Sequence, residues 1–275
     1  MSATTRPRLK KLLLKIAPLR MLLGQRHEMA FRRNLRRNLF RGVYQSFDAA
    51  LASAPSTRPV GYDHEAAAAM YLDRTRRVYP SDYPVLFWLE RLIGAGVRRI
   101  VDFGGHVGVS YYAYRKYIRY PIDLSWRVFD LPAVTTRGRE LAKTMDHTGQ
   151  IAFCDQLADC ADMELIIAQG SLQYLIDTLP ERLRAIDARP RHVLLNLVPI
   201  HASQSYFTLQ SIGTAFCPYR ITALTEFVES FEALGYGLVD RWENADKSCH
   251  IPLHPEQCLD SYNGFLFSLP DASSY

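Results

Sequence analysis

The stretch RIVDFGGHVG, residues Arg99–Gly108, decides the fold of this chain. Its first half is a mostly apolar strand, and its second half places three glycines within five positions. Glycine lets the backbone turn sharply and approach a ligand closely. The pattern after Gly108 predicts a helix over Ser110–Ile118, whose free N–H groups would face a ligand at the edge of a sheet. A strand, a glycine turn and a helix in this order are typical of nucleotide-binding folds.

Strand and helix patterns alternate along the rest of the chain. Repeated units of this kind predict an α/β fold with a doubly wound, mostly parallel sheet, in one domain over residues 61–275. Before the glycine turn, Asp63 is predicted to cap a helix from Glu65 to about Arg77. A further helix is predicted over Thr225–Leu234. The predicted strands are Arg99–Phe103, Trp126–Phe129, Ile151–Phe153, Leu165–Ala168, Val193–Leu197, Gly237–Arg241 and Gly264–Leu269.

Residues 1–60 are predicted to form a basic helical extension and a linker. Residues 1–41 contain twelve Lys or Arg and one acid, so they carry a formal charge of +11 and leave −6 for the rest of the +5 chain. Apolar side chains at helical spacing in Leu9–Ile16 predict a short amphipathic helix. An apolar stripe beside basic residues favours an anionic membrane surface as its partner. A solvated extension is one alternative, and nucleic acid is a weaker one because the stripe suits lipid better than phosphate.

The composition is that of an ordinary globular protein, with 48% hydrophobic and 22% charged residues among 275. It excludes a disordered, collagen-like or multi-span membrane protein, and no apolar run approaches the ~18 residues of a spanning helix. Five cysteines without a C-x-x-C pair predict a reducing compartment, and hence a cytoplasmic location. The cluster Cys249, His250, His254 and Cys258 matches no common zinc spacing, so no metal is predicted.

The glycine turn does not match the common nucleotide fingerprints. A dinucleotide site needs G-x-G-x-x-G, but counting from Gly104 puts His106 at the third position and Val109 at the sixth. A Y-x-x-x-K pattern at Tyr112–Lys116 would suit a short-chain dehydrogenase, but it lies too early in the chain. No Walker A sequence is present. An NAD(P)-dependent oxidoreductase is therefore an alternative function, but the sequence lacks the dinucleotide-binding motif of that class.

The turn instead resembles the first motif of class I S-adenosylmethionine-dependent methyltransferases, an acid followed by glycines about two, four and six positions later. Asp102, Gly104 and Gly108 match this motif, and His106 stands where the middle glycine is expected. Histidine tolerates left-handed backbone better than most residues, so the substitution is compatible with the turn. The resemblance implies a Rossmann-like methyltransferase domain that binds S-adenosylmethionine.

The same resemblance implies roles for acids at later strand ends. Asp130 follows the second strand, where an acid holds the ribose hydroxyls of the cofactor, since an ionised carboxylate can accept from both. Asp155 follows the third strand, in the position of the acid that meets the adenine amine. The implied cofactor-binding residues are Asp102, Gly104, Gly105, His106, Gly108, Asp130, Asp155 and Gln169.

Longer stretches resemble a bacterial family of methyltransferases that is associated with genes for surface polysaccharide or glycolipid assembly. The resemblance implies O-methylation of a sugar or glycolipid intermediate, and the basic extension favours a peripheral location at the inner face of a membrane. A methyltransferase fold that serves in assembly or regulation without catalysis is the alternative, because His106 departs from the motif. The resembling stretches are 101–112, 170–175, 194–201, 208–220 and 242–255.

Acceptor-side residues are expected after the fourth and fifth strands of the sheet. The Asn/Asp-Pro-Pro-aromatic motif of amino-group methyltransferases is absent there, which disfavours a nucleobase or glutamine acceptor. A hydroxyl acceptor gains from a base whose pKa is near neutral, and His201 after the fifth strand is the candidate. The candidate acceptor contacts are Gln173, Tyr174, Gln210 and Tyr219.

Overall fold

The chain folds around two β-sheets. The structure is a computed structural model that describes residues 17–33, 38–62, 72–157, 162–186 and 188–270. A seven-stranded sheet carries the predicted α/β architecture, and a separate four-stranded sheet accompanies it. Within the described residues, no helix combines the length and apolar character needed to cross a lipid bilayer.

The elements of the described part of the chain follow one another in α/β order. The strands are β1 (Leu39–Tyr44), β2 (Arg99–Phe103), β3 (Ser125–Phe129), β4 (Ile151–Cys154), β5 (Leu165–Gln169), β6 (His192–Val198), β7 (Ile200–His201), β8 (Tyr206–Ser211), β9 (Phe216–Ala223), β10 (Gly237–Asn244) and β11 (Tyr262–Ser268). The α-helices are α1 (Ala17–Arg33), α2 (Phe47–Ala52), α3 (Tyr83–Gly94), α4 (Val109–Tyr114), α5 (Pro132–Met145), α6 (Leu179–Arg184) and α7 (Leu224–Glu232).

The seven-stranded sheet has the order β10-β11-β6-β5-β2-β3-β4, in which β2 to β6 are parallel. Strand β11 runs antiparallel between β6 and β10. The chain moves from β2 outward to β3 and β4, then returns to add β5 and β6 on the other side. This reversal makes the boundary between β2 and β5 the switch point of a doubly wound sheet, where ligands bind at the carboxyl ends of the strands. The predicted fold class is confirmed.

Both faces of this sheet are covered, because successive strand residues point to opposite sides. Leu165 of β5 is buried in the core on one face, together with Trp126 of β3 and Leu89 of α3. Its neighbour Ile166 is buried in the core on the other face, together with Phe231 of α7. The central strands are therefore held from both sides, which gives a firm support to any site at their carboxyl ends.

The four-stranded sheet, of order β1-β8-β9-β7, is not predicted from the sequence. Strand β1 pairs antiparallel with β8, which in turn pairs antiparallel with β9. Phe40 of β1 is buried and meets the ring of Tyr219 edge-on, with the centroids 5.1 Å apart. Part of the predicted N-terminal extension therefore forms an edge strand of this sheet, and the boundary predicted at residue 60 does not coincide with a break in the fold.

Helix α1 lies on the four-stranded sheet. The ring of Phe31 stacks on that of Phe216, with 5.0 Å between the centroids. The Nε2 atom of His27 lies 2.8 Å from the carbonyl oxygen of Phe40 in β1. The second half of the predicted basic extension is thus attached to the body of the protein through α1.

Three predicted helices lie wholly or mostly outside the described residues or are shorter in the structure than predicted. The helix predicted over Leu9–Ile16 lies outside the described residues. Most of the helix predicted from Glu65 also lies outside them, and its last part, Leu72–Arg76, is a 3₁₀ helix. The helix predicted over Ser110–Ile118 ends early, at Tyr114, because the carbonyl oxygen of that residue accepts from two amides of the following turn.

Candidate functional site

A cleft of 970 Å³ opens at the carboxyl ends of the central strands. The seven-stranded sheet contributes the glycine turn after β2, Asp130 after β3 and Gln169 at the end of β5. The four-stranded sheet contributes Gln210 and Tyr219. The volume is at the upper end of the range for small-molecule sites, about 300–1,000 Å³, and suits a cofactor with a second ligand.

The glycine turn is built from left-handed backbone. The φ angle is +70° at Gly104, +57° at His106 and +85° at Gly108. The Gly104 amide donates to the carbonyl oxygen of Phe129 in β3 at 2.7 Å, which ties the turn to the neighbouring strand. His106 therefore adopts the conformation for which the resembled motif has glycine, at the modest cost that histidine incurs in this region.

The turn also leaves no room for side chains at its first two positions. A Cβ atom at Gly104 would lie 2.4 Å from Cβ of Ser171, which follows β5. A Cβ atom at Gly105 would lie 2.3 Å from the carboxyl carbon of Asp102. Glycine is needed at both positions because the turn packs directly on these two side chains.

Asp102 is buried beside the turn and is held close to neutrality. Burial raises the pKa of this carboxyl to about 7, and the negative charge of Asp130 adds to the shift. The indole N–H of Trp126 donates to Asp102 at 3.3 Å and acts in the opposite direction. The carboxyl of Asp102 is therefore much easier to protonate than that of an exposed aspartate.

Asp130 braces the turn from the end of β3. Its Oδ2 atom accepts from the amide of His106 at 2.8 Å, and its Oδ1 atom accepts from the amide of Leu131 at 2.7 Å. Asp130 therefore lies both against the turn and in the lining of the cleft, at the strand end where the sequence resemblance expects an acid.

Asp155 and Gln169 also line the cleft, but protein groups occupy their polar atoms. Asp155 accepts from the Thr135 hydroxyl at 2.7 Å and from the Arg139 guanidinium at 2.9 Å, and these bonds lower the pKa of its carboxyl. The Gln169 amide donates to the Ser110 hydroxyl at 2.8 Å. Its carbonyl oxygen accepts from the Tyr114 hydroxyl at 3.1 Å and from the Asn196 amide at 3.2 Å.

The four candidate acceptor contacts lie in the same cleft. The Tyr174 hydroxyl donates to Oε1 of Gln210 at 2.7 Å, and the Tyr174 and Tyr219 rings meet edge-on at 5.4 Å. The Gln173 amide donates to the carbonyl oxygen of Gly170 at 2.7 Å. That bond leaves Oε1 of Gln173 buried without a hydrogen-bond partner among the described residues. An acceptor oxygen in this condition is suited to an O–H or N–H donor of a ligand.

His201 is not among the residues that line the cleft. Its Nε2 atom donates to the carbonyl oxygen of Glu256 at 2.8 Å. Its Nδ1 atom accepts from the amides of Ser203 and Gln204 at 3.1 and 3.0 Å. Both ring nitrogens of His201 are thus hydrogen-bonded to backbone groups. In this geometry His201 does not provide the general base that the sequence predicts.

The structure brings a different carboxylate to the cleft. Asp82, in the 3₁₀ helix Pro80–Asp82, accepts from the amide of Tyr79 at 2.7 Å and from the Tyr114 hydroxyl at 3.3 Å. Burial raises the pKa of its carboxyl. Two cations, Arg74 and Lys247, share the lining of the cleft with Asp82. Burial, followed by the nearby positive charge of Arg74, lowers the pKa of Lys247.

A buried amide holds this wall of the cleft in place. Asn196 of β6 is fully buried, and its Nδ2 atom donates to the carbonyl oxygen of Ser81 at 2.8 Å. Its Oδ1 atom accepts from the indole of Trp242 at 3.1 Å and from the amide of Asn244 at 2.9 Å. The segment that carries Asp82 is therefore fastened to β6 and β10. The position of Asp82 in the cleft is not predictable from the sequence, because nothing in its local pattern reveals these distant contacts.

No group of three or more His, Cys, Asp or Glu side chains is arranged to hold a metal ion within the described ranges. In the cluster considered as a zinc candidate, the Cys258 sulfur lies 3.5 Å from Nδ1 of His250. Cys249 is buried, which raises the pKa of its thiol.

No family model matches the sequence, and no curated protein matches it. Solved methyltransferase structures are similar to it at low identity. The 1,6-didemethyltoxoflavin-N1-methyltransferase of Burkholderia thailandensis, solved with bound S-adenosylhomocysteine, is 16% identical over 70% of this chain and 79% of its own, with a TM-score of 0.45. An O-methyltransferase family protein from the same organism is 10% identical over 92% and 71%, with a TM-score of 0.48. A S-adenosylmethionine-dependent methyltransferase from Clostridium acetobutylicum is 9% identical over 75% and 98%, with a TM-score of 0.49.

The raised pKa of Asp102 makes a prediction about stability. Between the ordinary pKa of 3.8 and about 7, the folded chain keeps a proton that the unfolded chain has lost. The contribution of Asp102 to the free energy of unfolding therefore falls as pH rises through this window. We expect Asp102→Asn, relative to the parent, to be more favourable for stability at pH 8 than at pH 5 in urea unfolding. Asp123→Asn, at an exposed surface ion pair, is the control. An Asp102→Asn effect that is equal at both pH values contradicts the assignment.

Proposed function

We propose that this chain is a S-adenosylmethionine-dependent methyltransferase that acts on a hydroxyl group. The observation that carries the proposal is the turn Gly104–Gly108, whose left-handed backbone exposes main chain to the cleft beside Asp130. Such a turn at the switch point of a doubly wound sheet supports a nucleotide-type cofactor. The order of Asp102, Gly104 and Gly108 supports the adenosyl cofactor over a dinucleotide.

The side chains near the turn fit the parts of this cofactor. Asp130 lines the cleft beside the turn, where an ionised carboxylate would accept from both ribose hydroxyls. Phe129, Leu131 and Val134 supply apolar surface in the same lining for a flat base. Asp155 would meet the adenine amine while keeping its bonds to Arg139 and Thr135. Main chain at Gly104, Gly105 and His106 would support the remaining part of the cofactor, with Gln169 behind it. The bound cofactor would supply a methyl group on a sulfonium sulfur.

Asp82 is the residue best placed to accept the proton of the acceptor hydroxyl. A carboxylate is a stronger base when burial raises its pKa, and general bases work best when their pKa is near the operating pH. The Tyr114 hydroxyl fixes one oxygen of Asp82 and connects it to Gln169 at the end of β5. The Asp82 carboxylate would take the proton of the acceptor hydroxyl as that oxygen is methylated, and the bound cofactor would supply the methyl group.

A sugar or glycolipid is the acceptor class that we propose. The resemblance to methyltransferases of surface polysaccharide assembly suggests it, and the lining of the cleft suits it. The rings of Tyr62 and Tyr174 line the cleft and offer apolar surface to a sugar, and the buried Tyr219 hydroxyl donates to the Tyr262 hydroxyl at 2.8 Å. The unpartnered Oε1 atom of Gln173 offers an acceptor to a sugar hydroxyl.

The cofactor assignment predicts binding of S-adenosylhomocysteine at micromolar concentration in a calorimetric titration. We expect Asp130→Ala to weaken this binding by about tenfold or more, because a carboxylate–hydroxyl bond is charge-assisted. Asp123→Ala, which removes an exposed carboxylate, should leave it unchanged. NADH is the ligand control. No binding by a folded sample, or tighter binding of NADH, would refute the proposed cofactor.

The base assignment predicts a kinetic signature. With methyl transfer to a panel of nucleotide sugars and lipid-linked glycans as the assay, Asp82→Asn should lower kcat by about 10²-fold. It should also abolish the rise in rate as pH increases through the pKa of Asp82, while S-adenosylhomocysteine still binds. Binding without turnover on any acceptor would favour a non-catalytic role for the fold. A parent-like pH profile in Asp82→Asn would remove Asp82 from the mechanism.

A further inference from the structure

The outward face of α1 carries exposed apolar side chains. Met21 is 65% exposed, and Leu22 and Met29 are each 52% exposed. Leu22 and Met29 are seven residues apart, two turns of helix, so they lie on the same side. Phe31, which is fully buried, lies on the side that faces the four-stranded sheet. Single exposed apolar residues are common on protein surfaces, but three on one helix face form a patch.

Basic side chains flank this patch. Arg26, Arg32 and Arg33 are exposed on the same helix. The one acid of α1, Glu28, pairs with Arg32 at 2.7 Å and with Arg41 at 3.0 Å, so its charge is already matched within the protein. The outward face of α1 therefore combines an apolar centre with a net positive rim.

Contacts with the rest of the protein hold the helix that carries the patch in place. The guanidinium of Arg41 lies 5.2 Å from the centre of the Phe31 ring and holds it from β1. The Thr57 hydroxyl donates to the carbonyl oxygen of Arg32 at 2.7 Å, near the end of the helix. The helix that carries the patch is therefore fixed to the folded part of the chain.

We infer that the outward face of α1 binds the surface of an anionic lipid bilayer. Lipid headgroups match the arginines, and the boundary between headgroups and acyl chains matches the apolar centre. The charge of the chain supports this partner, since residues 1–41 carry +11 and the remainder carries −6. An anionic surface attracts the first part and repels the second, which orients the molecule. A nucleic acid would use the arginines but would leave Leu22 and Met29 without a role. This inference does not depend on methyl transfer.

Co-sedimentation of the full chain with vesicles tests the inference. We expect binding to vesicles of phosphatidylcholine with about one third phosphatidylserine, weaker binding as salt rises, and little binding to phosphatidylcholine alone. The double variant Leu22→Glu/Met29→Glu should bind at least about tenfold more weakly. The matched control is Ile122→Glu/Ile176→Glu, which places the same two charges at apolar positions outside α1 that are 98% and 64% exposed, and it should bind like the parent. Circular dichroism melting confirms that each variant is folded.

Three outcomes would overturn the inference. The first is parent-like vesicle binding by the folded Leu22→Glu/Met29→Glu variant. The second is equal loss of binding in Ile122→Glu/Ile176→Glu, which would reduce the effect to overall charge. The third is tight binding of duplex DNA that displaces the vesicles and is unaffected by the two glutamates, which would assign the basic surface to nucleic acid.

Discussion

The passage from β2 into α4 needs left-handed backbone at Gly104, His106 and Gly108, and the cleft depends on this constraint. The chain must leave a strand that is buried on both faces and enter a buried helix within a few residues. It does so by packing its main chain directly on Asp102 and Ser171, where no side chain fits. The result is a length of main chain at the switch point of the sheet, open to a ligand.

Two carboxylates serve this turn in different ways. Asp130 accepts backbone N–H groups and also lines the cleft, so it can both brace the turn and meet a ligand. Asp102 is buried beneath it, where the charge of a second carboxylate is unfavourable, and its pKa rises to about 7. The wall of the cleft that carries Asp82 is held differently, by hydrogen bonds of the buried Asn196 that connect β6, β10 and the segment before α3. Removing a partner from such a buried network leaves polar groups unsatisfied, which costs about 1–3 kcal/mol for each group.

The sequence allows the seven-stranded sheet to be predicted because its strands are apolar runs separated by turns and helices. Strand β2 matches its predicted bounds, Arg99–Phe103, and the others differ by a few residues. The four-stranded sheet could not be predicted in this way. Pro218 lies within β9, where proline normally argues against a strand, and β1 is far from its partner β8 along the chain.

The candidate site likewise contains some residues that can be predicted from the sequence and others that cannot. The glycine turn and Asp130 are recognisable because their roles follow from positions at strand ends. Asp82 is not recognisable, since its burial and its bond to Tyr114 arise from packing between segments 32 residues apart. His201 has the right chemistry for a base, but its surroundings commit both ring nitrogens to backbone groups. A sequence pattern shows which chemical groups are present, whereas the orientation of a side chain depends on contacts that the pattern does not reveal.

The central claim is that the main chain of the glycine turn and the Asp130 carboxylate together hold an adenosyl cofactor. A crystal structure of the full chain with S-adenosylhomocysteine tests it most directly. We expect the ligand to lie in the cleft against Gly104–His106, with its ribose hydroxyls within hydrogen-bond distance of Asp130. A ligand bound elsewhere on the molecule, or a cleft without ligand at saturating concentration, would contradict it.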